Sequence, residues 1–480
     1  MKKGRIFFFV VLWAAFLSSC ANEDSFHSSS DARLSFSVDT LSMDTVFAKV
    51  PAATKTFWVY NRSRSELRCA NVRLERGNQT GFRVNVDGIY LGETTGYQTG
   101  EVEIRRKDSI RVFVEMTANA TGQAVPKKVE DHLVFTLENG VQQRVSLKAY
   151  SWDALLLRNV HIKRDSVMAS KKPIIVYGGI KVDSAATLTV TAGTTLYFHA
   201  NARMDVFGRL LAEGTAAHNV VLRGDRIDRM FDYLPYDRVS GQWGGVRFHS
   251  SSYGNVLTYA DIHSAMDGVW VDSADVNRLK LTMNAVTIHN HKGYGLAVNT
   301  AYVKLINCQI TNALNDCFLL KGGKTEINGC TFAQFYPFDA ERGVAFRLMN
   351  GGHSTLNLQC RNTLITGFAD NVCVRAFGDR PAKGSYLFNH CVIRMPKVTT
   401  EDSVHFTQVI YEDVVDTART GDKNFVKIDM RTMKFDFNLR RSSIAVGKAD
   451  SRTAPVDDRR GEKRDEKPDI GAFEYRQNRR

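Results

Sequence analysis

Two histidines, His263 and His289, sit in matching segments, Ala260-Asp261-Ile262-His263 and Val286-Thr287-Ile288-His289. If these segments fill equivalent places on successive turns of a repeat, the two imidazoles stack, with Asp261 and Asp267 near the first. A His–Asp pair can serve as a general base or a metal ligand. It can equally be a polar stack at a turn, and that is the reading taken. No catalytic residue, metal site or cofactor is therefore assigned, and His263, His289 and Asp261 are kept as the alternative catalytic set.

A second constellation spans Gly224 to Arg238, GDRIDRMFDYLPYDR. Tyr233 and Tyr236 offer rings for stacking on sugars, while Arg226, Asp228, Asp232 and Asp237 offer hydrogen bonds to hydroxyls. With Trp243 just beyond, the candidate glycan-binding set is Arg226, Tyr233, Tyr236, Asp237 and Trp243. The other outcome is a brace whose aromatic residues are buried.

Both constellations depend on a repeat. Val182 to Val206 is 24 residues, Leu188 to Leu210 is 22 and Leu196 to Val220 is 24, so three short apolar strands recur together. A second register links Ala260, Val286, Cys308, Cys330, Thr363 and Cys391 at offsets of 26, 22, 22, 33 and 28, the longer ones accommodating loops. Coils of this length with two or three strands each predict a parallel β-helix over 155–400, its coils about 4.8 Å apart. The Gly224–Arg238 stretch interrupts the repeat, and such insertions commonly gather on one binding face. The recurring Val286, Cys308, Cys330, Thr363 and Cys391 become an inward ladder of small side chains, which accounts for an odd cysteine set without disulfides. No pair has CxxC spacing, so zinc is not expected.

Upstream, residues 33–153 alternate with period two, as in Thr56–Tyr60, Phe82–Val86, Ile110–Val114 and Leu133–Phe135. Glu138-Asn139-Gly140 precedes Val141–Leu147, and Asn-Gly favours a hairpin. An all-β sandwich follows. Residues 401–480 are expected to add a few strands and a charged, partly irregular cap, since a solenoid end needs covering.

The N-terminus is an address. Lys2, Lys3 and Arg5 precede an apolar run from Ile6 to Leu17. Its 12 residues reach about 18 Å as a helix, short of a bilayer core of about 30 Å. Leu17-Ser18-Ser19-Cys20 resembles the lipobox of bacterial lipoproteins, which implies cleavage before Cys20 and acyl chains on its thiol and amine. Residues 1–19 are then the leader and 20–32 a polar tether. Glu23 and Asp24 resemble the acidic signal that sends Bacteroidetes lipoproteins to the cell surface, implying an outer-membrane, surface-exposed protein, with the periplasmic side of that membrane the alternative.

Further segments carry the same likeness. Val59-Tyr60-Asn61, Phe82 to Gly88, Asp108-Ser109-Ile110 and Ala149 to Asp153 resemble the immunoglobulin-like domain that precedes β-helices in Bacteroidetes surface lipoproteins. Thr187 to Leu196, Gly224-Asp225-Arg226 and Gln242 to Val246 look like the opening coils of that group's right-handed parallel β-helix repeats. Pro468 to Tyr475, after Asp457, Gly461 and Arg464, resembles its closing, choice-of-anchor-like motif. The resemblance implies an immunoglobulin-like sandwich followed by a right-handed parallel β-helix, and it specifies architecture more than chemistry. β-Helices host pectate lyases and polygalacturonases as well as adhesins. The polygalacturonase set is missing: the one Asp-Asp, Asp457-Asp458, lies in the charged tail, and Gly352-His353-Ser354 departs from Gly-His-Gly. A pectate-lyase site needs clustered calcium carboxylates beside a basic residue, and no clustered Asp ladder faces a repeated Arg.

Composition sets the outer bounds. The chain has 480 residues, 43% hydrophobic and 24% charged, too apolar for disorder. The net charge of +13 becomes +10 without the leader's three cations and is spread thinly. No nucleic-acid module is present, so nucleic acid is not an expected partner. The expected partners are a membrane, through Cys20, and a polysaccharide or cell-surface glycan. The function expected is glycan binding or adhesion without catalysis, the alternative a polysaccharide lyase or glycoside hydrolase.

Overall fold

The structure, a computed structural model, describes residues 30–350, 356–377, 384–415 and 420–477; Cys20 and His353 lie outside the described residues. The chain forms two compact units, Met1–Asp153 and Ala154–Arg480. No helix among the described residues is long and apolar enough to cross a membrane.

The first unit is a β-sandwich. One sheet orders Ser35–Phe36, Lys55–Tyr60, Ser109–Met116, Phe82–Val86 and Ile89–Leu91; the other centres on Thr40–Phe47, Gln142–Trp152, Lys127–Leu137 and Leu67–Leu74. Alternation places Phe82, Val84 and Val86, and Val112 and Val114 across from them, in one core with Phe135 and Leu147. Gly140, at φ +82°, turns the hairpin between the two longest strands. Two long strands that the sequence pattern does not reveal are Thr40–Phe47 and Leu67–Leu74. Each carries a register shift against its neighbour, and a bulge breaks the period-two signal.

The second unit is a right-handed parallel β-helix, a single 26-stranded sheet wound into coils. One column of paired strands positions the site. It runs through Thr195–Phe198, Val220–Gly224, Ala260–His263, Thr287–His291, Gln309–Ala313, Thr331–Gln334, Leu364–Gly367 and Val392–Ile393. One left-handed residue turns the chain into most of these strands: Tyr259, Ala285, Asn307, Gly329, Asn362 and His390 all have φ between +44° and +62°. Gly and Asn tolerate that conformation best, which is why they recur there. Alternation then sends Ile262, Ile288, Ile310 and Phe332 into the bore. Val286, Cys308, Cys330, Thr363 and Cys391 are buried in line, and all seven described cysteines are free.

The last stretch behaves differently from a charged end cap. The hairpin Phe425–Asp429/Lys434–Leu439 and the chain after it pack along the side of the coils, burying Phe335, Leu364 and Val392 against Phe437, Leu439, Ile470 and Ala472. Five of its charged residues lie inside: Asp458, Arg459, Arg464, Asp469 and Glu474 are buried. Arg464 donates to the Gly471 and Asp469 carbonyls, Glu474 and Asn307. The quoted closing motif is thus a strap pinned to the left-handed turns, with Asn307 donating to Asp457 O and Asn328 to Thr453 O.

Candidate functional site

The outward side chains of the site column form the floor of a cleft. Thr287 and His289 lie one coil from Asp261 and His263, and Gln309 and Thr311 one coil further. The walls come from the base of the insertion (Asp237, Arg238), the hairpin segment Met433 to Asn438, and Phe473. Arg238 donates to Thr432 O across 3.1 Å, tying one wall to the other. The enclosed volume is ≈ 450 Å³.

The histidine pair has the expected register. His263 and His289 are Cα partners, with ring centroids 4.7 Å apart and planes 22° from parallel. His263 is buried and uses both ring nitrogens, Nδ1 to Asp261 at 2.8 Å and Nε2 to Asp237 at 3.0 Å. Burial alone would lower its pKa, but Asp261 and Asp237 outweigh burial and push it up to about 9, so it is an imidazolium at neutral pH. Burial would likewise raise Asp261, yet His289 and His263 hold it well below the usual carboxylate range. Asp237, which also pairs with Arg223, is lowered against its burial by His263. Asp267 is not part of this network; its carboxylate accepts the Tyr294 N–H.

This arrangement bears on both readings of the cluster. Donor atoms of Asp261, His263 and His289 lie within 4.8 Å of one another, close enough to surround an ion. A protonated His263 has no lone pair to give, however, and near-parallel rings aim their in-plane lone pairs alongside each other rather than at one point. The donor set fits a salt-bridge network better than a metal. His289 is the exception within it: Nε2 lies 3.3 Å from Asp261, the residue lines the cleft, and Nδ1 makes no hydrogen bond among the described residues.

The insertion residues part company. Trp243 is a correction: it is 1% exposed, stacked on Phe198 at 4.3 Å and donating Nε1–H to His263 O. A large ring there fills the bore, so it offers no platform. Arg226 forms a two-pronged pair with Asp228 and lies 3.8 Å over the Tyr236 ring, which covers the face a sugar would need. Asp237 belongs to the histidine network. Tyr233 alone of the set stands open, 52% exposed and stacked at 5.7 Å on Phe231, itself 55% exposed. Both flank the turn of a small hairpin, Arg229–Phe231 with Leu234–Pro235.

The residues that sequence reasoning missed are the cleft amides. Asn290 is buried, lines the cleft and has no hydrogen-bond partner for its side chain among the described residues. Asn438 Oδ1 is buried and unpaired. Asn290 and Asn312 repeat at the spacing of the coils and both take positive φ, a signal visible as Ile-His-Asn and Ile-Thr-Asn one coil apart. The wall residues had no periodic signal.

Fold and site together define an all-β protein with a sandwich and a right-handed parallel β-helix whose flank carries a polar, aromatic-walled cleft. No protein-family model matches the chain, and no curated protein does. Among solved structures, the chain is similar in fold to pectate lyase Pel9A (11% identity, 68% of this chain and 88% of that chain, TM-score 0.31). It is also similar to the catalytic unit of a GH87 α-1,3-glucanase from Streptomyces thermodiastaticus strain HF3-3 (10% identity, 74% and 75%, TM-score 0.30). A match to the Vibrio cholerae VesB protease, at 15% identity and TM-score 0.17, takes in 25% of this chain and 31% of that one.

Proposed function

We propose that the protein is an exported, lipid-anchored surface protein that holds a glycan in this cleft without turning it over. The observation that carries the reading is Asn290: the amide of a largely buried residue, without a partner among the described residues, opening into a cleft with Gln309, Asn438 and the Phe435 ring. Buried polar groups are normally paired, so such an amide is matched to a ligand's hydroxyls or to water. Asp261, Asp237 and His263 hold one another in their charged states, which suits retention rather than proton transfer. One observation favours a second reading, a lyase or hydrolase: the unbonded Nδ1 of His289, backed by Asp261, has the arrangement of a general base.

A glycan array followed by product analysis separates the two. Retention without new chain ends, lost in Asn290→Ala, supports binding; unsaturated or reducing ends that vanish in His289→Ala establish catalysis. The anchor rests on the Leu17–Cys20 sequence and is tested by fractionation. Cys20→Ala should release the chain from membranes, and an unchanged distribution would end that part of the proposal.

A further inference from the structure

A second recess lies on another column of the β-helix and shares with the glycan cleft only the coil that runs through Lys304 and Gln309. Its strands are in register: Lys304 pairs with Glu326 and Glu326 with Gln359, Lys324 with Asn357, and Asn328 with Arg361. Together with Ile306, their outward side chains line a hollow of ≈ 440 Å³. Three cations face one carboxylate there. Glu326 is already spent, accepting the Tyr302 hydroxyl at 2.6 Å and lying 3.0 Å from Lys304 and 3.7 Å from Lys324. The Arg361 guanidinium has no hydrogen bond or ion pair among the described residues, and neither do the side-chain amides of Asn357 and Gln359. The hollow therefore carries two positive charges beyond its own carboxylate, and its free donors have no internal acceptor.

We propose that this face binds an anionic polysaccharide laid across successive coils, its carboxylate or sulfate groups meeting Arg361 and Lys324 and its hydroxyls meeting Asn357 and Gln359. The coil spacing of about 4.8 Å sets cations and amides at intervals comparable to one sugar unit. A guanidinium presents a planar fork that fits a carboxylate or a sulfate with two hydrogen bonds. Nucleic acid fits less well because no ring is open for base stacking: Tyr302 is 9% exposed and covered by Lys324 at 4.2 Å. This site is independent of the cleft beside His289.

The test measures binding of polygalacturonate, its fully methyl-esterified form, dextran sulfate, dextran and single-stranded DNA to the full chain. The proposal expects affinity for the charged polymers only, weakened at least about tenfold in Arg361→Gln/Lys324→Gln, with a shallower salt dependence. Comparing polygalacturonate with dextran sulfate tells carboxylate from sulfate. Asn290→Ala, in the other cleft, should leave this binding unchanged, so failure here and failure of the cleft reading are distinguishable. Equal binding of the esterified polymer, equal binding of DNA, or no loss in the folded double variant would overturn it. Circular dichroism of the variant guards against misfolding, and Arg361→Lys should restore part of the binding.

Discussion

The same column of strands shows two different outer faces along the β-helix. Toward its beginning the outward positions are Arg223, Asp261, His263, Thr287 and His289, and they border a cleft. Further on they are Ala333, Leu364 and Val392, sealed under Phe425, Phe437, Leu439 and Ile470. Backbone path, register and bore filling are alike in both halves. What differs is the cover: the strap and its hairpin lay apolar side chains over the apolar face, whereas at the polar face the strap reaches in with Arg459, which donates to Thr287, and a cleft stays open beside it. The coil geometry fixes where side chains stand, and the returning C-terminal chain decides whether that place is core or site.

The largest test of this contrast removes the packing of the sealed half. Phe335 is fully buried and meets Phe368 edge-on at 4.7 Å and Phe425 at 6.0 Å. Phe335→Ala should cost about 3–5 kcal/mol and make the C-terminal strap sensitive to protease before the coils. Urea unfolding with timed proteolysis reads both; a loss under about 1 kcal/mol would mean that the strap is not packed as described.

The open half should respond to pH instead. His263 has a folded pKa raised from an ordinary value of 6.5 to about 9, so its stabilisation is complete below about pH 6.5 and disappears as pH rises through 9. At about 1.4 kcal/mol per unit, that amounts to about 3 kcal/mol at most. Asp261 and Asp237 have depressed pKa values, so their contribution holds above about pH 4 and is lost on acidification. Thermal unfolding should therefore show falling stability between pH 6.5 and 9.5, with the slope flattened in His263→Gln. An unchanged slope in that variant would show that His263 is not the titrating group.

These two halves also show what the sequence could reveal. The stacking of His263 on His289 followed from equal offsets, because in-register parallel strands place equivalent residues side by side. The free thiols of Cys308, Cys330 and Cys391 followed from the same ladder. Trp243 misled because an aromatic residue after an irregular stretch reads the same whether it faces the solvent or, as here, plugs the bore against Phe198. The cleft itself was out of reach: its walls come from Met433–Asn438 and Phe473, more than a hundred residues from the floor, and no period connects them. Charged residues such as Asp458 and Arg464 looked like a solvated tail because only tertiary partners, Asn307 and Glu474 among them, account for their burial.

A smaller effect is expected at the tip of the insertion, which belongs to neither half. Phe231 and Tyr233 stack on each other with both rings more than half exposed. Phe231→Ala with Tyr233→Ala should change unfolding free energy by no more than about 0.5 kcal/mol. Any accompanying loss of glycan retention would extend the binding surface from the cleft, lined by Asp237 and Arg238, to this hairpin. A loss of several kcal/mol would instead mean that the rings brace the fold.

The smallest expected effect is a null one, and it sharpens the account of the charged half. A metal bound only by the native state raises stability in proportion to RT ln(1 + [metal]/Kd), about 2.7 kcal/mol at a hundredfold excess over Kd. Asp261, His263 and His289 are near enough to invite such an ion. Binding it would require His263 to shed a proton held between two carboxylates, and two near-parallel rings to swing toward a common point. Zinc titration at pH 7 should therefore leave the melting temperature unchanged. A zinc-dependent rise that disappears in His289→Ala would show that the cost of rearranging the network is met by the metal, and the cluster would then be a metal centre opening on the cleft.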